Sequence, residues 1–182
     1  MSKKSFFHLF KMDAARWLVP EQIGNPDDVT PIRLVKLLLH HMPLRAMLLF
    51  RLGSWCKQRR IPFLPGFLQR QIYRRYGLEI SPGADIGGGL YVAQPIGTVI
   101  SVRRMGINCS LIAAITIGMR NTWAFPDIGD HVFIGAGARV LGDITLGDRC
   151  LVGANAVVIK DVPPGATAVG IPAKILSIPN TQ

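Results

Sequence analysis

Asp127 to Lys160 reads DIGDHVFIGAGARVLGDITLGDRCLVGANAVVIK, and its spacing decides the fold. Stepping by six from Ile128 gives Ile134, Val140, Leu146, Val152 and Val158, all aliphatic. The next residue is Gly at Gly129, Gly135, Gly147 and Gly153, with Leu141 and Ile159 the exceptions. Two places before each beat stand Pro126, Val132, Ala138, Ile144, Cys150 and Ala156, all apolar or small. A strand has period two and a helix 3.6, and neither keeps such a column pure over thirty residues. A period of six fits short strands joined by tight corners and stacked in a solenoid. The aliphatic residue points inward, and the glycine after it is expected to let the chain turn.

Upstream the beat continues through Ile80, Ile86, Val92 and Thr98, slips by one to Met105, and runs on through Leu111 and Ile117. A break from Gly118 to Asp127 precedes Ile128. With three beats to a triangular coil, these positions make roughly four coils, enough for a stable solenoid.

The formal net charge of +10 is uneven. Residues 1–77 hold 14 Lys/Arg against 4 Asp/Glu, and residues 78–182 hold 7 of each. The basic part is also apolar, with Leu37-Leu38-Leu39, Met47-Leu48-Leu49-Phe50 and Phe63-Leu64. These runs are too short and interrupted to span a bilayer. Three readings stay open. The segment caps the solenoid or meets sister subunits, lies on an anionic membrane surface, or binds nucleic acid. The last is disfavoured, because no reading motif or stacking platform is present.

The expected organisation is a basic apolar helical segment over 1–77, the solenoid over 78–162 and a closing tail over 163–182. Residues 1–30 read as a poorly patterned lead with a turn at Gly24–Asp28. Thr30 and Pro31 open a helix that continues to about Gln58 with a kink at Pro43. Ile61–Gly66 reads as a loop, and a second helix covers Phe67–Tyr76 with Gly77 as its cap. No cleavable leader pattern is visible at the start. Cys56, Cys109 and Cys150 have no CxxC spacing and read as packed thiols of a reducing compartment. The expected location is cytoplasmic, peripheral at the inner membrane face if the basic segment binds there. No metal-ligand spacing is seen.

Three segments resemble the hexapeptide-repeat acyltransferases, in their serine acetyltransferase and exopolysaccharide O-acetyltransferase branch. They are Gly77–Ile80 with Ile86–Tyr91, then Ile134–Gly142, and Asp161–Gly165 with Gly170–Lys174. The resemblance covers about Arg70 to Ile175. It implies a left-handed parallel β-helix, homotrimers, and acetyl-CoA in a groove between neighbouring prisms. It assigns the co-substrate to Gly135, Ala136, Gly153, Ala154, Pro172, Ala173 and Lys174. The break at 118–127 becomes a projecting loop whose Asn121, Trp123 and Phe125 contact the acceptor, the pantetheine arm or a neighbour.

An acceptor hydroxyl must lose its proton as it attacks a thioester, and His suits that task near neutral pH. The branch places a His before a short Gly-containing turn. Here the turn is Ala93-Gln94-Pro95-Ile96-Gly97, so the catalytic position is Gln94, which cannot accept a proton. A neighbouring position that is often acidic is Ala93, and Phe125 stands near the place of a second His. His131 reads as a solvent-facing corner, while His8, His40 and His41 lie in the basic segment. The main functional expectation is acetyl-CoA-dependent O-acyl transfer to a sugar hydroxyl in polysaccharide biosynthesis. The alternatives are serine O-acetylation in cysteine biosynthesis and a catalytically degenerate trimeric binding or scaffold protein.

Overall fold

The computed structural model describes residues 5–19 and 23–176. Four helices come first: α1 (Phe6–Ala15), α2 (Pro31–His40), α3 (Met42–Gln58) and α4 (Leu64–Tyr76). The strands follow in coils. The first is β1 (Leu78–Ile80), β2 (Asp85–Ile86) and β3 (Tyr91–Gln94). The second is β4 (Thr98–Ile100), β5 (Arg104–Met105) and β6 (Ser110–Ala113). The third is β7 (Thr116–Gly118), β8 (Asp127–Ile128) and β9 (Phe133–Ile134). The fourth is β10 (Arg139–Leu141), β11 (Thr145–Leu146) and β12 (Leu151–Val152). β13 (Val157–Val158) and β14 (Thr167–Val169) extend the stack, and β15 (Lys174–Leu176) turns back antiparallel on β14.

From β1 to β13 every third strand pairs in parallel, and β14 pairs in parallel with β12, giving three faces. Face A is β1-β4-β7-β10-β13, face B is β2-β5-β8-β11, and face C is β3-β6-β9-β12-β14 closed by β15. The fold is therefore a parallel β-solenoid behind a helical segment. All thirteen beat residues from Ile80 to Val158 are buried, Thr98 among them. The pre-beat residues Val132, Ala138, Ile144, Cys150 and Ala156 join the same core.

The glycines after the beats have a different reason from the expected one. The left-handed corner residue is the third after the beat: Gly89, Asn108, Ala114, His131, Gly137, Arg149 and Asn155 all have φ between 50° and 78°. The post-beat glycines are not in that region. They are small because the next coil lies against them: a Cβ on Gly135 would sit 2.7 Å from the Ala154 nitrogen. At the corner between faces B and C, aspartates stitch the coils. Asp130 accepts from the Ile107 N–H and Asp148 from the Asp130 N–H, both at 2.8 Å.

The helical segment departs from the sequence reading in three places. The lead contains α1, whose Phe10, Asp13, Ala14 and Ala15 are buried. The long helix breaks at His41 (φ −113°, ψ 100°), so Pro43 sits in the first turn of α3. There its missing N–H leaves no bond unmade. α4 starts at Leu64, three residues early, because Pro65 also falls in a first turn. The Thr30 cap and the left-handed Gly77 cap (φ 61°) are present as expected.

A buried ion pair fixes the segment to the first coil. Arg51 donates to both Asp13 carboxylate oxygens, at 2.8 and 3.0 Å, and to the Ile86 carbonyl at 2.7 Å. It also donates to the Gly87 carbonyl, while the Leu90 N–H donates to Asp13 at 2.9 Å. Desolvation pushes the Asp13 carboxyl above its ordinary value, while Arg51 and the backbone donors pull it back. Arg16 adds bonds to the Gly89 and Asn108 carbonyls and the Ser110 hydroxyl.

Asp13→Ala strands the buried guanidinium and should cost about 3–5 kcal/mol in denaturant unfolding, whereas Asp13→Leu with Arg51→Met should recover most of it. Equal losses in both proteins would mean that the pair is not an isolated unit. Val140 is fully buried, and Val140→Asp should lower stability by several kcal/mol, of order the cost of an unpaired buried charge. An unchanged melting temperature would contradict the register.

Candidate functional site

The strand registers bring Gln94 and the small residues of later coils to one edge. Gln94 pairs with Ala113 across β3 and β6. Leu111 pairs with Ile134, Ile134 with Val152, and Val152 with Ala168. Two residues further along each strand stand Ala113, Ala136, Ala154 and Gly170, at the corner where face C turns into face A. Backbone bonds hold this file together: the Gly137 N–H donates to the Ala113 carbonyl and the Asn155 N–H to that of Ala136, each at 2.8 Å. Gly135 and Gly153 lie one place inward, so the edge presents almost no side-chain relief.

Gln94 tops this file with its side chain exposed. Its carbonyl accepts from the Thr98 hydroxyl at 3.3 Å. The turn after it docks on the end of α4, where the Gly97 N–H donates to the Gly77 carbonyl at 3.0 Å. Below it, Arg139 Nη1 reaches the Ala114, Gly137 and Ala138 carbonyls at 2.6, 3.0 and 3.2 Å. Arg139 thus braces the middle of the edge. Sequence reasoning quoted it in a motif without giving it this place, although it directly follows a pre-beat alanine.

The lower end of the edge is closed by the tail. The Ala173 N–H donates to the Val157 carbonyl at 2.8 Å. Lys174 pairs with Val169 in the antiparallel rung and is exposed beside Pro172. Gly135, Ala136, Gly153, Ala154, Pro172, Ala173 and Lys174 therefore share a region with Gln94, spread along its length.

Asn121, Trp123 and Phe125 do not join them within one chain. Their loop connects β7 to β8, so it leaves the corner between faces A and B. Its base packs there, with the Gly142 N–H donating to the Gly118 carbonyl at 2.9 Å. Trp123 is 81% exposed and meets Phe125 edge-on at 5.4 Å.

No described histidine stands in the file. His131 is a half-buried left-handed corner residue between faces B and C. His8 and His40 are exposed on helices. His41 packs at a tilt on Trp17, with ring centres 4.6 Å apart, and Trp17 in turn packs at a tilt on Tyr91 at 4.7 Å. Burial, and then His40, lowers the His41 pKa below its ordinary value. Cys109 and Cys150 are no substitute nucleophiles, since desolvation pushes Cys109 up to about 11 and Cys150 up to about 12. Among the described residues no three His, Cys, Asp or Glu converge as metal ligands.

Known proteins share this architecture. Residues 125–160 match the family model described as bacterial transferase hexapeptide (six repeats). The chain is 37% identical over 146 residues to a serine acetyltransferase of Helicobacter pylori, a match spanning 78% of this chain and 85% of that protein. It is 33% identical over 146 residues to the serine acetyltransferase of Synechococcus elongatus, over 78% of this chain but 60% of that longer relative. The soybean serine acetyltransferase apoenzyme superimposes with a TM-score of 0.78 at 29% identity, covering 93% of this chain and 67% of the other. A serine acetyltransferase solved in complex with CoA gives 0.75 at 28%, covering 93% and 68%. Identity at this level, carried over most of the Helicobacter protein's length, means that the chain belongs to the hexapeptide-repeat acyltransferase family.

Proposed function

We propose that the chain transfers an acetyl group from acetyl-CoA to an acceptor hydroxyl. The supporting observation is the flat edge topped by Gln94, in a fold shared with a serine acetyltransferase solved with CoA. The small side chains of Gly135, Ala136, Gly153 and Ala154 leave room for the pantetheine arm. Lys174, with Pro172 and Ala173 at the closed end, supplies an exposed cation for a phosphate group. When bound, acetyl-CoA supplies the activated thioester.

The names of the relatives favour serine as acceptor over the sugar hydroxyl expected from the sequence, for which the comparisons offer no support. Gln94 stands where a base is needed. Its amide orients the hydroxyl by hydrogen bonding, and its proton must leave to another acceptor. Loss of a general base costs about 10²–10⁴-fold, while proximity to a bound thioester preserves part of the rate. The same residue favours the second reading, a trimeric homologue that binds CoA without turnover.

The site is read as shared between copies. Gln94 and the Trp123 loop stand at different corners of one prism, so they meet only if the loop of one copy reaches the edge of another. A homotrimer satisfies this. The assembly is read as cytoplasmic, with residues 1–77 against an anionic membrane surface.

Thiol release from acetyl-CoA should be sluggish with serine as with soluble glycans, and Gln94→His should raise it about 10²–10⁴-fold with CoA affinity unchanged by calorimetry. Rapid wild-type turnover that survives Gln94→Ala would show that Gln94 is the wrong position. CoA binding without turnover in either protein would favour the scaffold reading. Light scattering should give about three chain masses of the 19.9 kDa protomer, and a monomer would remove the shared site.

A further inference from the structure

α2 is apolar on two opposite sides. Leu34, Leu37 and Leu38 pack inward on a small cluster built from Phe10, Ala14, Ala15, Val29 and Leu44. Ile32, Val35 and Leu39, at i, i+3 and i+7, form an outward stripe and are 72%, 57% and 66% exposed. A helix at the surface of a globular protein needs only one apolar side. The second has no partner within the described chain.

Cations line one margin of the stripe. Lys36 and His40 stand one turn apart beside Ile32 and Leu39, and Arg33 lies next to them. Neither Arg33 nor Lys36 forms an ion pair among the described residues. A cavity of about 440 Å³ opens on this margin; Arg33, Lys36, His40 and His41 line its α2 side, with Asp28 and the apolar Leu18, Val19 and Leu37 among the rest. Its one described carboxylate is Asp28, whose backbone carbonyl accepts from Arg33 at 3.1 Å. In sequence, Asp27 and Asp28 directly precede α2, and the chain after them turns basic. From Val29 to Leu78 the chain has ten Lys/Arg and no Asp or Glu.

We infer that α2 is the membrane-contact element: Ile32, Val35 and Leu39 enter the outer acyl region of an anionic bilayer, and the adjoining cavity takes a lipid phosphate between Arg33 and Lys36. This rests on the reading of residues 1–77 as a membrane-surface segment and assigns that role to one helix. The two requirements of an interfacial helix, an apolar stripe and a cationic margin, are met side by side. A second copy of the chain is the poorer occupant. A two-fold contact sets the same patch against itself, which brings Arg33 and Lys36 toward their own copies with no acid on α2 to offset them.

The experiment is flotation of the full chain with vesicles of phosphatidylcholine alone and of phosphatidylcholine mixed with phosphatidylglycerol. The wild type should float with the mixed vesicles only, and less so as salt rises. Ile32→Ser/Val35→Ser/Leu39→Ser should lower partitioning about tenfold or more, since these side chains lose apolar burial in the bilayer. Arg33→Gln/Lys36→Gln should lower it roughly fivefold for each cation. None of the five side chains is buried, so circular dichroism and light scattering should match the wild type. Wild-type flotation that both variants retain would overturn the assignment to α2 and leave the membrane reading standing. No flotation of the wild type would overturn both. A change of mass in the triple variant would identify the stripe as a contact between copies and overturn the lipid assignment.

Discussion

Successive coils of this solenoid are separated only by the spacing of paired strands, about 4.8 Å, and that spacing leaves no room for side chains where one corner lies over the next. A Cβ on Gly129 would fall 2.7 Å from the Asp148 nitrogen, and one on Gly135 equally close to Ala154. The glycine column is therefore a consequence of stacking. At the corner between faces C and A the rule acts at Gly135 and Gly153, while Ile112 stands in the matching place of an earlier coil and Gln94 tops the file beside it. The edge is smooth because Ala113, Ala136 and Ala154 stand beside those glycines, and smoothness suits a long, thin co-substrate arm.

The helical segment depends on a second constraint, the pairing of Asp13 with Arg51. Buried ion pairs contribute little net stability, since desolvation offsets most of the attraction, but a single broken partner is costly. The pair therefore acts on specificity. Only one seating of α1 and α3 on the Ile86–Leu90 corner gives Arg51 its two carbonyls and Asp13 its backbone donor. That seating fixes α2 relative to the first coil, through the contacts of Leu34, Leu37 and Leu38.

The solenoid was legible because its register repeats. Twelve of the thirteen expected beat positions keep the core register, while Thr98 is buried opposite Leu78 and Ile100 takes the place between Ile80 and Ile117. The helices were less legible. α1 hides in a stretch with only four buried positions, one of them an aspartate whose partner lies 38 residues away. The break at His41 is invisible in a run of leucines, because a proline two residues later suggests a kink there instead. The site was legible in part. Counting beats in threes would have put Gln94 between faces C and A and the Trp123 loop between A and B. The pattern of six alone does not say which corner a residue occupies.

That separation of corners bears on the chemistry. Gln94 can orient a hydroxyl but cannot take its proton, and no described histidine shares its edge. His41 is packed at a tilt on Trp17, itself packed on Tyr91, and burial weakens it as a base. Cys109 and Cys150 are held as thiols in the core. Within one chain the edge therefore provides a smooth strip of small residues and an amide, with the Arg139 guanidinium held on backbone carbonyls. On the proposed reading, whatever completes the site comes across a subunit boundary or from the acceptor itself. Binding along the edge needs only small residues, whereas turnover needs an added proton acceptor. On the proposed reading the two capacities are separable, and Gln94 is the residue at which they part.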